Sequence, residues 1–118
     1  MGKNVLKDKS YQFAILIVKL SQILVNDKKE FVLSKQLLRS GTAIGALIRE
    51  AEFAQSKKDF INKMSISLKE ANETLYWLDL IKDTDFISEV EHKNYFELNK
   101  ELIAMLVSSI KTSKSKLQ

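Results

Sequence analysis

The feature that most constrains this chain is a pair of glycines four residues apart, Gly41 and Gly45, inside a segment with the composition of a helix. A glycine in a helix interior costs about 1 kcal/mol relative to alanine. Two glycines at helical spacing therefore indicate a face on which another helix backbone comes very close. The two arginines of the chain, Arg39 and Arg49, stand on either side of the pair. We predict that Gly41 and Gly45 are helix-packing positions.

Composition favours a single all-helical domain over residues 1–118. The chain has no proline and only three glycines, so little in it would interrupt a helix. It also has no cysteine, which excludes disulfides and thiolate metal sites and fits a reducing, cytoplasmic location. The longest apolar run, Phe13 to Val18, is far shorter than the roughly 20 residues that span a bilayer. We expect neither a secretory signal nor a membrane segment.

Hydrophobic periodicity predicts four helices, at about residues 10–25, 31–53, 57–82 and 89–113. The first carries an apolar stripe at alternating spacings of four and three: Phe13, Ile17, Leu20 and Leu24. Ser56 and Ser88 each precede an acidic residue by three positions, which predicts capping boxes opening the third and fourth helices. Short connections between four helices favour an up-down-up-down antiparallel four-helix bundle.

The apolar residues exceed what one core-facing stripe requires. From Phe13 to Val25, ten of thirteen residues are apolar. The predicted inner stripe of the third helix is Phe60, Met64, Leu68, Ala71, Leu75 and Leu78. That of the fourth is Tyr95, Leu98, Leu102, Met105 and Ser109, beside a second stripe of Phe96, Ile103, Leu106 and Ile110. Helices that are apolar on more than one side favour burial between subunits, although an unusually apolar monomer is the alternative.

The residues do not assemble into a recognisable catalytic or metal site. Glu89 and His92 have the spacing of a di-iron bundle motif, but that site needs the motif twice with further carboxylates, and His92 is the only histidine. We interpret Glu89 and His92 as part of a helix start. Glu70 and Glu73 are predicted to form ion pairs with Arg39, Arg49 or neighbouring lysines, within or between bundles, rather than to act in acid–base chemistry. We expect no catalytic residue, no metal and no cofactor.

A basic cluster brackets the junction between the second and third helices: Arg39, Arg49, Lys57, Lys58 and Lys63. Contact with nucleic-acid phosphates is the functional interpretation. The alternative is that the arginines donate hydrogen bonds to Glu50, Glu70 or Glu73 while the lysines are solvated. Trp77, which follows Tyr76, is more typical of packing at a core or an interface than of base stacking.

At these residues the sequence resembles a known bacterial family of four-helix bundles. The resemblance rests on QLLRSGTAIGA (36–46), REA (49–51), SKKDF (56–60), KEANET (69–74) and YWL (76–78). The family is named for proteins encoded in intervening sequences of 23S ribosomal RNA genes and is sometimes labelled ribosomal. The match spans roughly Tyr11 to Met105. It implies a bundle that assembles into a homopentameric ring, without known enzymatic activity.

The sequence is also similar, more distantly, to the accessory variability protein of diversity-generating retroelements. That resemblance implies nucleic acid binding and a reverse transcriptase as a protein partner. By position, Arg39 and Arg49 match the family's second-helix motif, and the three lysines match its basic positions on the third helix. Leu47 stands where the family often has asparagine, so the polar contact of that asparagine is not expected here.

Together these observations predict a non-enzymatic, homo-oligomeric bundle that binds RNA or DNA as an accessory protein. A scaffold ring that docks another protein, without nucleic acid, is the second hypothesis.

Overall fold

The computed structural model describes residues 2–117 and consists of four helices: α1 (Gly2–Asn26), α2 (Leu33–Glu52), α3 (Lys57–Asp83) and α4 (Glu89–Ser115). Residues 2–117 contain no β-strand. The helices pack side by side in an elongated four-helix bundle of about 50 × 22 × 21 Å. None of the helices described is both long enough and apolar enough to cross a membrane.

The helices pack unevenly around the bundle. Helix α2 has the most extensive contacts, with α3 on one side and α1 on the other, and α3 also packs along α4. Among the four pairs of neighbouring helices, α1 and α4 contact each other least. The side of the bundle between α1 and α4 is therefore its most loosely closed side.

Helix α1 begins at Gly2, eight residues before the predicted start. Its buried stripe extends toward the N-terminus through Leu6, which is 4% exposed, and through buried Ser10. The Ser10 hydroxyl donates a hydrogen bond to the Lys7 carbonyl at 2.9 Å, which satisfies it inside the bundle. The predicted start of α1 was wrong because Ser10, a polar residue on the inner stripe, interrupts the apolar periodicity on which the prediction rested.

Helix α2 begins two residues after the predicted start, because Glu30 ends the preceding turn. The Glu30 carboxylate accepts hydrogen bonds from the backbone N–H of Ser34 at 2.7 Å and of Val32 at 3.2 Å. These hydrogen bonds lower the pKa of Glu30, against the opposing effect of burial, which is the largest single influence on this carboxyl. The turn leaves Phe31 and Val32 exposed.

The start of α4 has the predicted capping box, whereas the start of α3 has only its serine half, because the Asp59 carboxylate accepts a hydrogen bond from the Gln55 N–H instead of the Ser56 N–H. Ser56 Oγ accepts a hydrogen bond from the backbone N–H of Asp59 at 3.0 Å. Ser88 Oγ accepts from the backbone N–H of Glu91 at 3.1 Å, and the Glu91 carboxylate accepts in return from the Ser88 N–H at 2.9 Å. The capping box of α4 is therefore complete and confirms the interpretation of the Ser88-x-x-Glu91 motif.

The core side chains lie along the bundle axis and come from all four helices. The predicted stripe of α1 is confirmed, since Phe13, Ile17, Leu20 and Leu24 are all buried. The largest fully buried apolar side chains of the other helices are Leu37, Ile44, Leu78, Ile81, Leu102 and Leu106.

The predicted stripes of α3 and α4 were only partly right. On α3, Phe60, Leu68 and Leu75 are half-buried, while Ser67, Thr74 and Ile81 take core positions. On α4, the core-facing residues are His92, Asn99, Leu102, Leu106 and Ile110, so Leu106 and Ile110 of the secondary stripe replace Leu98 and Met105. Apolar periodicity alone cannot identify these two buried stripes, because both include polar residues.

Several buried polar residues form hydrogen bonds between helices, whereas Asn99 Oδ1 is buried without a partner among residues 2–117. Ser67 Oγ donates to the Ile44 carbonyl at 2.9 Å, and Thr74 Oγ1 lies 2.9 Å from Ser40 Oγ, both across the contact between α2 and α3. Asn99 Nδ2 donates to the Ala71 carbonyl at 2.9 Å, joining α4 to α3. A buried polar group without such a partner would cost roughly 1–3 kcal/mol.

Candidate nucleic-acid interface

The glycine pair lies where α2 crosses α1. A Cβ built on Gly41 would be 2.8 Å from Cγ2 of Ile17, and one built on Gly45 would be 3.4 Å from backbone atoms of Ser10. Helix α1 is therefore in van der Waals contact with the backbone of α2 at both glycines. The same crossing places the last turn of α2, with Arg49, beside the N-terminal half of α1.

Arg39 is held against α3 by two carboxylates. Its Nη1 lies 3.2 Å from Glu70 Oε1, and its Nη2 pairs with Glu73. Glu73 also accepts a hydrogen bond from Trp77 Nε1 at 3.0 Å, which orients the half-buried indole. The predicted pairing of Glu70 and Glu73 with an arginine is confirmed for Arg39. The Arg39 guanidinium therefore joins α2 to α3, and its charge is compensated by the two carboxylates.

Lys63 is also engaged with an acid. Its Nζ lies 3.4 Å from Glu50 Oε1, linking α3 to the last turn of α2. The pair is partly exposed, so its contribution to stability is small, of the order of 0–1 kcal/mol. Lys63 remains near the junction, but much of its charge is compensated.

Arg49, Lys57 and Lys58 form the remaining cationic group, which we call the junction patch. All three are exposed, and within residues 2–117 none of them lies within ion-pairing distance of a carboxylate. The Arg49 guanidinium lies over the Tyr11 ring, 5.6 Å from its centroid. Lys57 and Lys58 lie in the first turn of α3, where the helix dipole disfavours cations. Stabilisation of helix α3 therefore does not explain why lysines occupy these two positions.

Separate from the junction patch, an apolar cavity of about 470 Å³ opens at one end of the bundle. Its walls come from all four helices and include Leu6, Ile48, Phe60, Met64 and Met105. The charged residues that line it are Lys7 and Glu52, which form an ion pair at 3.0 Å. The cavity thus offers apolar contact rather than a set of reactive groups.

His92 has a structural partner that the sequence did not indicate. Its Nε2 lies 2.7 Å from Asp79 Oδ1 on α3, and its ring lies 5.1 Å from that of Phe96. Glu89 is exposed at the helix start. The part of the chain described here holds no group of three or more His, Cys, Asp or Glu residues placed to bind a metal. Thirteen residues separate Asp79 from His92, so no local motif signals the pair.

Comparison with known proteins identifies the family. The model of the family described as 23S rRNA-intervening sequence protein matches residues 3–108. A solved structure with a TM-score of 0.93 and 56% identity is a protein of unknown function from the S23 ribosomal protein family of Bacteroides thetaiotaomicron; the match covers 94% of this chain and 99% of that one. No protein with a curated description matches. The chain therefore belongs to the 23S rRNA-intervening sequence protein family.

Proposed function

We propose that this protein is a non-enzymatic, homo-oligomeric accessory protein that binds the sugar-phosphate backbone of RNA or DNA in the cytoplasm. The observation that carries the proposal is the junction patch: Arg49, Lys57 and Lys58 are exposed without an acid partner among residues 2–117. Uncompensated cations attract phosphates and release counterions when they bind. Membership of a family named for a ribosomal RNA insertion agrees with an RNA ligand.

The five predicted basic residues contribute unequally to this proposal. Arg39 and Lys63 are paired with acids, so we assign them a secondary role. Arg49 at the end of α2 and Lys57 at the start of α3 flank the same short connection. A phosphate backbone passing over this connection would meet all three cations of the junction patch. The net charge of +4 is modest, so a local cluster matters more than the overall charge.

An antiparallel up-down-up-down order of the helices is part of the proposal. It is supported by contacts that run in opposite directions along neighbouring helices. Between α1 and α2, Lys7 meets Glu52 while Ser21 meets Ser34. Between α3 and α4, Asp79 meets His92 while Ala71 meets Asn99, and the α2–α3 ion pairs follow the same rule.

Assembly into a homopentameric ring is also part of the proposal. It is supported by apolar side chains left exposed on α1, among them Leu16 at 36% and Ile23 at 46%, and by Leu98 on the adjacent α4. Exposed apolar patches of this kind mark interaction surfaces. A closed ring would repeat the junction patch around its axis and so multiply a weak cationic site.

The direct test is a salt titration of binding to a generic RNA. Wild type should bind at low salt with a steep loss of affinity as salt rises, since each phosphate contact contributes roughly 0.9 to the logarithmic slope on a duplex. Lys57→Gln/Lys58→Gln should reduce that slope by about 2, one for each lysine. The matched control, Lys28→Gln/Lys29→Gln in the α1–α2 turn, should leave it nearly unchanged.

Absence of wild-type binding at low salt would refute the proposal. If the two double variants reduced the salt slope equally, the RNA would be attracted by the net charge of the protein and not by the junction patch.

A protein-docking scaffold without a nucleic acid ligand is the second candidate. It is favoured by Phe53, which is 80% exposed at the end of α2, beside the junction patch. A pull-down from cell extract that retains a protein partner, such as a reverse transcriptase, after nuclease treatment would support it. The variant Phe53→Ser should then release the partner, whereas Lys57→Gln/Lys58→Gln should not.

A further inference from the structure

A second groove lies between α1 and α2, next to the junction patch. It has a volume of about 300 Å³ and is lined by Lys7, Ser10, Tyr11, Ala14, Thr42, Gly45, Ala46 and Arg49. Its lining includes two small residues of α2, Gly45 and Ala46, and α1 comes close to the α2 backbone at Gly45. We call it the Tyr11 groove.

The Tyr11 groove contains an aromatic ring beside an unpaired cation. Tyr11 is 53% exposed, and the Arg49 guanidinium lies over its ring at 5.6 Å from the centroid. Both groups are planar, and both provide stacking surfaces for nucleobases. Lys7 also lines the groove but is held by Glu52 at 3.0 Å, so Arg49 is the cation available to a ligand.

The serine and threonine hydroxyls of the groove already donate hydrogen bonds within the protein. Ser10 Oγ donates to the Lys7 carbonyl at 2.9 Å, and Thr42 Oγ1 donates to the Leu38 carbonyl at 2.7 Å. Structural stability therefore accounts for these two hydroxyls, whereas the cation–π contact between exposed Tyr11 and exposed Arg49 contributes only weakly to it. The volume of 300 Å³ is at the lower limit of small-ligand sites, which span about 300–1,000 Å³.

We propose that the Tyr11 groove receives one unpaired nucleobase of a single-stranded nucleic acid, stacked against Tyr11 and Arg49, while the junction patch holds the adjacent phosphates. The inference rests on the proposed function and narrows it from nucleic acids in general to single strands. A duplex keeps its bases stacked inside the helix, so it can reach the phosphate-binding lysines but cannot place a base in the groove.

The experiment compares a short single-stranded RNA, carrying one 2-aminopurine, with the duplex of the same sequence. Tyr11→Ala should weaken single-strand binding by about tenfold, as expected for loss of one stacked base, and should leave duplex binding and the salt slope unchanged. Tyr11→Phe keeps the ring and should bind as wild type. Binding to wild type should quench the 2-aminopurine fluorescence, and Tyr11→Ala should abolish the quenching.

The lysine variants separate this inference from the proposed function. Lys57→Gln/Lys58→Gln should weaken single strand and duplex alike, with a smaller salt slope and with quenching retained at saturation. Wild type that binds both nucleic acids equally, with Tyr11→Ala unchanged, would overturn the Tyr11 groove while leaving the proposed function intact. Wild type that binds neither at low salt would overturn both.

Subunit packing is the competing role for Tyr11. Sedimentation of Tyr11→Ala should show the wild-type mass, and circular dichroism should show the wild-type helix content. A dispersed assembly with equal loss of single-strand and duplex binding would place Tyr11 in a subunit contact and refute the inference.

Discussion

At the scale of single residues, Gly41 and Gly45 differ in what a side chain would meet. A Cβ on Gly41 would press on the branched side chain of Ile17 at 2.8 Å, whereas one on Gly45 would have its shortest contact, 3.3 Å, with a serine hydroxyl. Ile17 is fully buried and, as a β-branched residue, is stiff at its first torsion. The Gly41 position therefore has little room to adjust.

Gly41→Leu should destabilise the fold strongly, because overpacking a rigid core costs about 1–3 kcal/mol and sometimes more. Gly45→Ala places the smallest side chain at the less tightly packed glycine. It should change the free energy of unfolding by less than about 1 kcal/mol, since the better helix propensity of alanine offsets a mild contact. Urea unfolding measures both. Equal stability of Gly41→Leu and wild type would show that the close crossing is not required.

The two arginines show, also at the scale of single residues, that residue type alone does not predict which cation is available to a ligand. Arg39 and Arg49 belong to one sequence motif and have the same chemistry, yet Arg39 pairs with Glu70 and Glu73 while Arg49 lies over Tyr11. Ten residues along a helix are about 15 Å, enough to place the two guanidinium groups beside different neighbours. Acid pairing was predictable from Glu70 and Glu73 on α3, but the exposed tyrosine beside Arg49 was not.

At the scale of elements, the capping box of α4 makes part of the stability depend on pH. Hydrogen bonds from the Ser88 backbone and side chain lower the pKa of Glu91 below its ordinary value of 4.5. A carboxyl whose pKa is lower in the folded state stabilises the fold above its unfolded pKa. That stabilisation is lost as the pH falls through the lower, folded value.

Glu91→Gln should therefore lower the free energy of unfolding at pH 7 by about 0.3–1 kcal/mol, because glutamine can keep the capping-box hydrogen bond but loses the negative charge at the helix N-terminus. The difference from wild type should shrink as the pH falls below the ordinary value of 4.5 and through the lower pKa of the folded Glu91 carboxyl. Urea unfolding at pH 7 and pH 3 measures this convergence. Glu97→Gln, at an exposed site on the same helix, controls for loss of one negative charge. A constant difference between Glu91→Gln and wild type at both pH values would contradict the assignment.

The inner faces of the helices were predictable to different degrees. Helix α1 follows a regular apolar period, so its buried stripe could be identified from the sequence. Helix α4 buries His92 and Asn99 because α3 supplies Asp79 and the Ala71 carbonyl as partners. Periodicity could not identify that face, since the partners belong to another helix and satisfy the polar groups only after packing.

At the scale of the whole molecule, the exposed apolar residues on α1 predict self-association. Leu16→Glu/Ile23→Glu should disperse the assembly into single copies without loss of helix content, because both side chains are substantially exposed. Gln12→Glu/Gln22→Glu, which adds the same charge at exposed positions of the same helix, should leave the mass unchanged. Light scattering and circular dichroism provide the measurements. Wild type that is a folded single copy at micromolar concentration would refute the ring.

By itself, the sequence determined the helical class, the approximate number and positions of the helices, the caps of α3 and α4 and the inner face of α1. These features depend on propensities and periods within one segment, and they persist in any packing of the segments. Only the tertiary structure decided which cations are compensated, which polar residues enter the core and which small residues leave a groove beside Tyr11. The physical reason is that charge compensation, desolvation and shape arise between helices, and their partners are far apart in the chain.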